Sequence, residues 1–220
     1  MSIHYLKWIF SKNPSKFGWV FGTAPFAGSF FILKTNGKSL HYPLRLYFLY
    51  VWMTETALVL IDFQQEWLDP ESEYYVGDVQ ETIAKVNYLI DHCRTRGYKI
   101  IRTKHREIDS LDAFWPETHF IPELKMQESD TIIIKNKISP FYNTSLEKEL
   151  DGIKHVIVCW ILTNLCVRSF IQDAYDRDFK ITVIKDCCMA HTPEIQEFTF
   201  YDLAQTREEI DFTDLKEFAE

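Results

Sequence analysis

The chain has 220 residues, 46% of them hydrophobic and 25% charged, which is enough for a sizeable core and too apolar for wholesale disorder. Its net charge of −8 is the wrong sign for a general nucleic-acid binder, which needs a basic face to displace counterions. No run reaches the roughly 20 unbroken apolar residues of a membrane span, and Cys93, Cys159, Cys166, Cys187 and Cys188 form no C-x-x-C pair. They read as free thiols of a cytoplasmic protein, not as a disulfide or zinc framework.

The charge is unevenly divided. Residues 1–52 hold five Lys, one Arg and no acid, whereas the remainder holds 18 basic against 32 acidic residues. Aromatics are scattered through residues 1–52 without a period of 2 or 3.6, and Gly and Pro interrupt each apolar run. The segment therefore reads as an atypical basic, aromatic-rich extension outside the main fold. Met53 opens Met-Thr-Glu-Thr-Ala-Leu-Val-Leu-Ile-Asp and looks like a natural start, with the extension upstream of the real initiation codon. A membrane- or partner-associating arm and a targeting segment are the other readings.

From Met53 strand and helix signals alternate. Ala57–Asp62 is a short apolar run ending in an acid, as in a strand buried on both faces. Val79, Ile83, Val86, Leu89, Ile90 and Cys93 have helical spacing, and Gly97 supplies a stop, predicting a helix over 79–96. Strands are predicted over 98–103, 131–135, 155–160 and 180–186. Helices are predicted over 145–150, 165–177 and 194–206, and residues 209–218 are ambiguous. Strand–helix alternation with near-continuous apolar strands implies an α/β fold: an open, mostly parallel sheet of five or six strands with helices on both faces, in three α/β/α layers.

Ligands of such folds sit beyond the carboxyl ends of the strands. Asp62 and Lys135 end strands and Cys166 follows one, so all three converge on a single rim. A cysteine attacks as thiolate. A helix start, a lysine ammonium and a carboxylate to take the proton would each help it form. Taken singly, each residue also fits a bland role: a buried thiol, a turn acid, a solvated lysine.

Three stretches break that tie. Leu58-Val-Leu-Ile-Asp62-Phe-Gln64-Gln-Glu-Trp67 is an apolar strand followed by D-x-Q and an aromatic. Lys135-Asn-Lys-Ile-Ser139-Pro-Phe141-Tyr-Asn-Thr144-Ser-Leu146 matches K-x-x-x-S-x-F-x-x-T-x-L. Thr163-Asn-Leu-Cys166-Val167 matches T-x-x-C-V, with Asp173-Ala174 and Asp186 following. In this order they resemble the isochorismatase-like cysteine hydrolases, a family that includes nicotinamidases, N-carbamoyl amidohydrolases and ureidoacrylate hydrolases. The likeness spans residues 55–190.

The resemblance implies a hydrolase domain over 53–220 that cleaves a C–N bond of a small amide or carbamoyl compound through a thioester, without a cofactor. Its catalytic triad would be Asp62 as base and acid, Lys135 as the cation beside it, and Cys166 as nucleophile. A cis peptide is expected at Ile161–Leu162, with the Leu162 and Cys166 amides forming an oxyanion hole. Trp67, Trp115 and Phe141 would bind substrate, and the protein would be a homo-oligomer. Nicotinamidases also carry a metal on a D-x-H pair after the second strand. The matching stretch here, Thr103-Lys-His105-Arg-Glu107, offers only His105 and Glu107, so no metal is expected. His119 of Trp115-Pro-Glu-Thr-His119 is displaced by one residue from the nicotinamidase W-P-x-H, which makes nicotinamide a minor candidate. Trp160 stands where the family usually has Gly, and Phe170 where it has Thr. The alternatives are a vinyl-ether hydrolase of the isochorismatase type and an inactive relative serving as an oligomeric binding module.

Overall fold

In the computed structural model the described residues are 18–24, 28–35, 38–43, 54–72, 74–106 and 118–220. The chain divides into two compact units, Met1–Met53 and Thr54–Glu220.

In the first unit, β1 (Gly18–Ala24), β2 (Gly28–Thr35) and β3 (Lys38–Pro43) form an antiparallel sheet in the order β1-β2-β3. Sequence periodicity gives no element here, so the sheet is a difference from expectation. One signal for it was present. Thr35 pairs with Lys38 across Asn36-Gly37, the dipeptide that two-residue hairpins favour because both positions tolerate positive φ.

The second unit is built on β4 (Thr56–Ile61), β5 (Lys99–His105), β6 (Thr131–Lys135), β7 (His155–Ile161), β8 (Lys180–Met189) and β9 (Asp211–Thr213). Their order is β6-β5-β4-β7-β8-β9 and all are parallel. The sixth strand comes from the ambiguous 209–218 segment, which also holds α5 (Leu215–Ala219). Residues 57–61 of β4 and 156–161 of β7 are wholly buried, as continuous apolar runs require in a sheet covered on both faces.

The chain steps from β4 out to β5 and β6, then returns to the other side of β4 for β7, β8 and β9. Right-handed crossovers running in opposite directions put their helices on opposite faces. The reversal opens a crevice between the carboxyl ends of β4 and β7. Asp62 follows β4 and Cys166 follows β7.

Helix α1 (Gln80–Thr95) ends as its sequence predicts. Gly97 has φ 69°, and the Gly97 and Tyr98 amides donate to Arg94 O and Cys93 O. Helix α2 spans Leu146–Glu149, α3 Arg168–Tyr175 and α4 Pro193–Thr206. Thr192 caps α4, its side chain accepting from the Ile195 amide with Pro193 in the first turn. The helix expected over 165–177 begins instead with a π-helical turn, Thr163–Val167. Strand β8 runs on to Met189, past its expected end, after a register shift opposite Val158 and Trp160.

Trp160 lies at that irregularity. It has φ 102°, is fully buried, and stacks on Phe63 with ring centroids 4.4 Å apart and planes at 14°. Phe170 is likewise fully buried and stacks on Phe141. Both departures from the family pattern are therefore core-filling aromatics. Among the described residues no helix is long and apolar enough to cross a membrane.

Candidate active site

The β4–β5 ladder ends at the Leu60–Arg102 pair, and residues just after β4 continue the join by side chain. Asp62 turns away with φ 54°. Its amide donates to Thr103 Oγ1 at 3.0 Å, and the Thr103 hydroxyl donates to Asp62 Oδ1 at 2.6 Å. Gln64 grips the backbone of His105, Nε2 donating to its carbonyl at 3.0 Å and Oε1 accepting from its amide at 2.6 Å. The D-x-Q pattern thus fastens the end of β4 to the end of β5.

Lys135 is the last residue of β6. Along this strand Ile133 and Lys135 are buried while Ile132 and Ile134 are exposed, so period-2 alternation turns Lys135 inward. Its Nζ lies 2.8 Å from Asp62 Oδ2, 3.3 Å from Cys166 Sγ, 3.0 Å from His105 Nδ1 and 3.2 Å from Lys137 O. The three N–H groups have the imidazole, the carbonyl and the sulfur as hydrogen-bond partners, while Asp62 Oδ2 is met as an ion pair. Farther along the loop, the Ser139 hydroxyl donates to Asp173 of α3, tying the segment after Lys135 to the helix after Cys166.

Cys166 is held by the π-helical turn. The Leu165 and Val167 amides both donate to Leu162 O, at 3.0 and 3.2 Å. The Ile161–Leu162 peptide is cis, at the expected position. Thr163, fully buried, donates to Gln196 Oε1 at 3.2 Å, and Gln196 Nε2 donates to Cys188 O at 3.2 Å. The nucleophile's turn is thereby anchored to α4 and β8.

Burial, reinforced by the Asp62 charge and opposed by Lys135, pushes the Cys166 thiol up to about 12. Burial acts to lower the Lys135 ammonium, but Asp62 and Cys166 outweigh it and raise the group. Burial and the Asp62 carboxylate thus work against the sequence features that favour a thiolate, and Lys135 works with them. Neither the burial nor the neighbour from another strand is visible in the sequence around Cys166.

His105 enters the site in a role that sequence reasoning missed. Sequence offers it only as a metal ligand, whereas here its Nδ1 meets the Lys135 ammonium. The lone pair must then lie on Nδ1 and the proton on Nε2, a tautomer assigned from this contact. Asp62, His105 and Cys166 do bring ligand atoms within 4.8 Å of one another. Lys135 Nζ stands against all three residues, so a metal ion there would have to displace an ammonium already bound. The donor set does not fit a metal. Glu107 lies outside the described residues, as does Trp115.

Trp67 sits in a 3₁₀ turn, Gln65–Leu68, largely buried and edge-on to Tyr74 at 5.7 Å. The Phe141 ring stacks on Phe170 at 5.5 Å and lies 4.4 Å from the Arg177 guanidinium, so packing already occupies much of it.

Residues 56–211 match the model of the isochorismatase domain. The chain belongs to the isochorismatase family. It is 36% identical over 155 residues to the uncharacterized isochorismatase family protein YaaI of Bacillus subtilis, covering 66% of this chain and 86% of that protein. It is 25% identical over 166 residues to Nicotinamidase 3 of Arabidopsis thaliana, covering 67% and 80%. Among solved structures, an isochorismatase-like hydrolase from Alkaliphilus metalliredigens superposes with a TM-score of 0.68 at 22% identity, covering 75% of this chain and 97% of that one. The pyrazinamidase of Pyrococcus horikoshii, solved in complex with zinc, gives 0.64 at 24% identity, covering 73% and 99%. This isochorismatase-family hydrolase therefore has amidohydrolases among its relatives, nicotinamidase being one.

Proposed function

We propose that the site hydrolyses the C–N bond of a small amide or carbamoyl compound through a thioester on Cys166. The observation that carries this reading is the Lys135 ammonium in contact with both the Asp62 carboxylate and the Cys166 sulfur, with all three side chains buried. That arrangement suits a proton passing between oxygen and sulfur while the cation stays in place.

With sulfur protonated at rest, attack and proton transfer go together. Asp62 takes the thiol proton as Sγ bonds to the carbonyl carbon, and Lys135 faces the charge throughout. The oxyanion receives the Leu162 and Cys166 amides, a contribution of about 3 kcal/mol per donor in comparable sites. The carbonyl reforms as the C–N bond breaks, and protonated Asp62 hands its proton to the leaving nitrogen. A water, deprotonated by Asp62, then attacks the thioester. Sulfur leaves and recovers the proton from Asp62, which restores the resting site and frees the acid. Trp67, Trp115 and Phe141 are assigned to the substrate pocket.

The chemistry is assigned wholly to residues 53–220, with residues 1–52 dispensable to it. We place the protein in the cytoplasm, where its free thiols stay reduced. A homo-oligomer is proposed as well, since exposed Ile195, Phe198 and Tyr201 of α4 offer apolar surface for association.

An ammonia-release screen over simple amides, N-carbamoyl compounds and nicotinamide, with Cys166→Ala as control, tests the reading. Mass spectrometry of a rapidly quenched reaction should find acyl adduct on the Cys166 peptide. Turnover that survives Cys166→Ala would sink the thioester route.

A further inference from the structure

We propose that Thr103 is a positioning residue for Asp62: its hydroxyl holds Oδ1, leaving Oδ2 as the atom that exchanges the proton with Cys166. The proposal rests on the reading of Asp62 as the base.

Thr103 and Asp62 are both wholly buried and 41 residues apart in sequence. A hydroxyl has one hydrogen to donate. The Thr103 oxygen accepts the Asp62 amide at 3.0 Å, and its hydrogen is directed at Asp62 Oδ1, 2.6 Å away. The two bonds close a ring through the Asp62 backbone and side chain, so the rotation of the carboxylate is fixed at both ends. A short O–H···O⁻ bond is among the stronger hydrogen bonds. With Oδ1 taken, Oδ2 faces the Lys135 ammonium at 2.8 Å, and Lys135 in turn contacts Cys166 Sγ at 3.3 Å.

The amide bond matters as much as the carboxylate bond. Asp62 leaves the ladder with φ 54°, so no strand neighbour is in register for its N–H, and Thr103 supplies the acceptor. Valine in its place would keep the shape, strand both an N–H and a carboxylate oxygen, and let the carboxylate swing.

Alkylation by iodoacetamide tests this without a substrate. Rates are followed at pH 7.5 by peptide mapping of all five cysteines in the full chain. In Thr103→Val the Cys166 rate should fall at least about 5-fold, with Cys93, Cys159, Cys187 and Cys188 unchanged. Thr103→Ser should stay within about 2-fold of the parent. Asp62→Asn removes both the proton acceptor and the charge that raises the Cys166 thiol, so its own Cys166 rate should change; adding Thr103→Val to it should change nothing more, since both act through one carboxylate. Should the valine variant fail to fold, Thr103→Ala takes its place with the same expectation.

A faster rate at all five cysteines would mean that Thr103 only supports the fold, and the proposal falls. An unchanged Cys166 rate in Thr103→Val, with the Asp62→Asn rate changed, overturns Thr103 alone. An unchanged rate in Asp62→Asn overturns the base reading and this proposal with it.

Discussion

The two sides of β4 bury different chemistry. Toward β5 and β6 lie Thr103, His105 and Lys135, and beneath them Arg102 and Asp130. Arg102 Nε donates to Asp130 Oδ2 at 2.9 Å, and Arg94 Nη2 reaches the two oxygens of Asp130 at 2.9 and 2.7 Å. Toward β7 the buried residues at the strand's end are Val158, Cys159, Trp160 and Ile161, with Phe170 behind them. Asp62 stands on the seam. Buried charge survives only where partners are at hand, and here the partners come from one side. Among the described residues the sulfur on the other side meets the charges of Asp62 and Lys135 across the seam, and burial raises its thiol.

Cutting the seam should have the largest effect. Lys135→Met, Asp62→Asn or Cys166→Ala should each lower turnover on the order of 10³-fold or more, as for residues that act as one unit. Combining two should cost little beyond the first, measured as kcat/KM on the amide that the screen selects.

Next come changes confined to one side. Asp130→Ala leaves the Arg102 guanidinium buried without its carboxylate and should cost about 3–5 kcal/mol in urea unfolding. On the apolar side Trp160→Ala should cost a similar ~3–5 kcal/mol through the cavity it opens. Trp160→Gly should cost about 1 kcal/mol less than the alanine change, because φ 102° is open to glycine and poor for alanine. If glycine proves worse than alanine, the backbone at Trp160 is not strained.

Alkaline pH should weaken the fold through its buried thiols. Burial raises Cys93, Cys166 and Cys188 to about 12. The unfolded chain releases these protons near 8.5–9, while the folded chain retains them. The unfolded state then binds fewer protons, so stability is fully present below about pH 9 and is lost as pH rises toward about 12. The urea midpoint should fall between pH 8 and pH 10.5, and fall less in Cys188→Ala. The smallest effect belongs to the surface pair Lys154–Glu55, where Lys154→Ala should shift stability by no more than about 0.5 kcal/mol.

Much of this arrangement could be read in advance. Strands 131–135 and 155–160 fall where apolar runs predict them; the second is buried on both faces, which needs such a run, whereas the first is an edge strand with Ile132 and Ile134 exposed. Asp62, Lys135 and the cis Ile161–Leu162 bond fall where the motifs place them. The sheet of β1, β2 and β3 was harder. Its strands lack alternation, and only Asn36-Gly37 announced a hairpin.

The sequence by itself determined the parallel sheet and placed Asp62, Lys135 and Cys166 at strand ends on one rim. These follow from local patterns that repeat along a strand or helix. Only the tertiary structure decided that Thr103 holds Asp62, that His105 meets Lys135, and that burial raises the Cys166 thiol. Each of these depends on what a fold brings within hydrogen-bond distance and how far it excludes water. Residues 30 and 41 apart in sequence acquire that relation only when β4, β5 and β6 lie side by side.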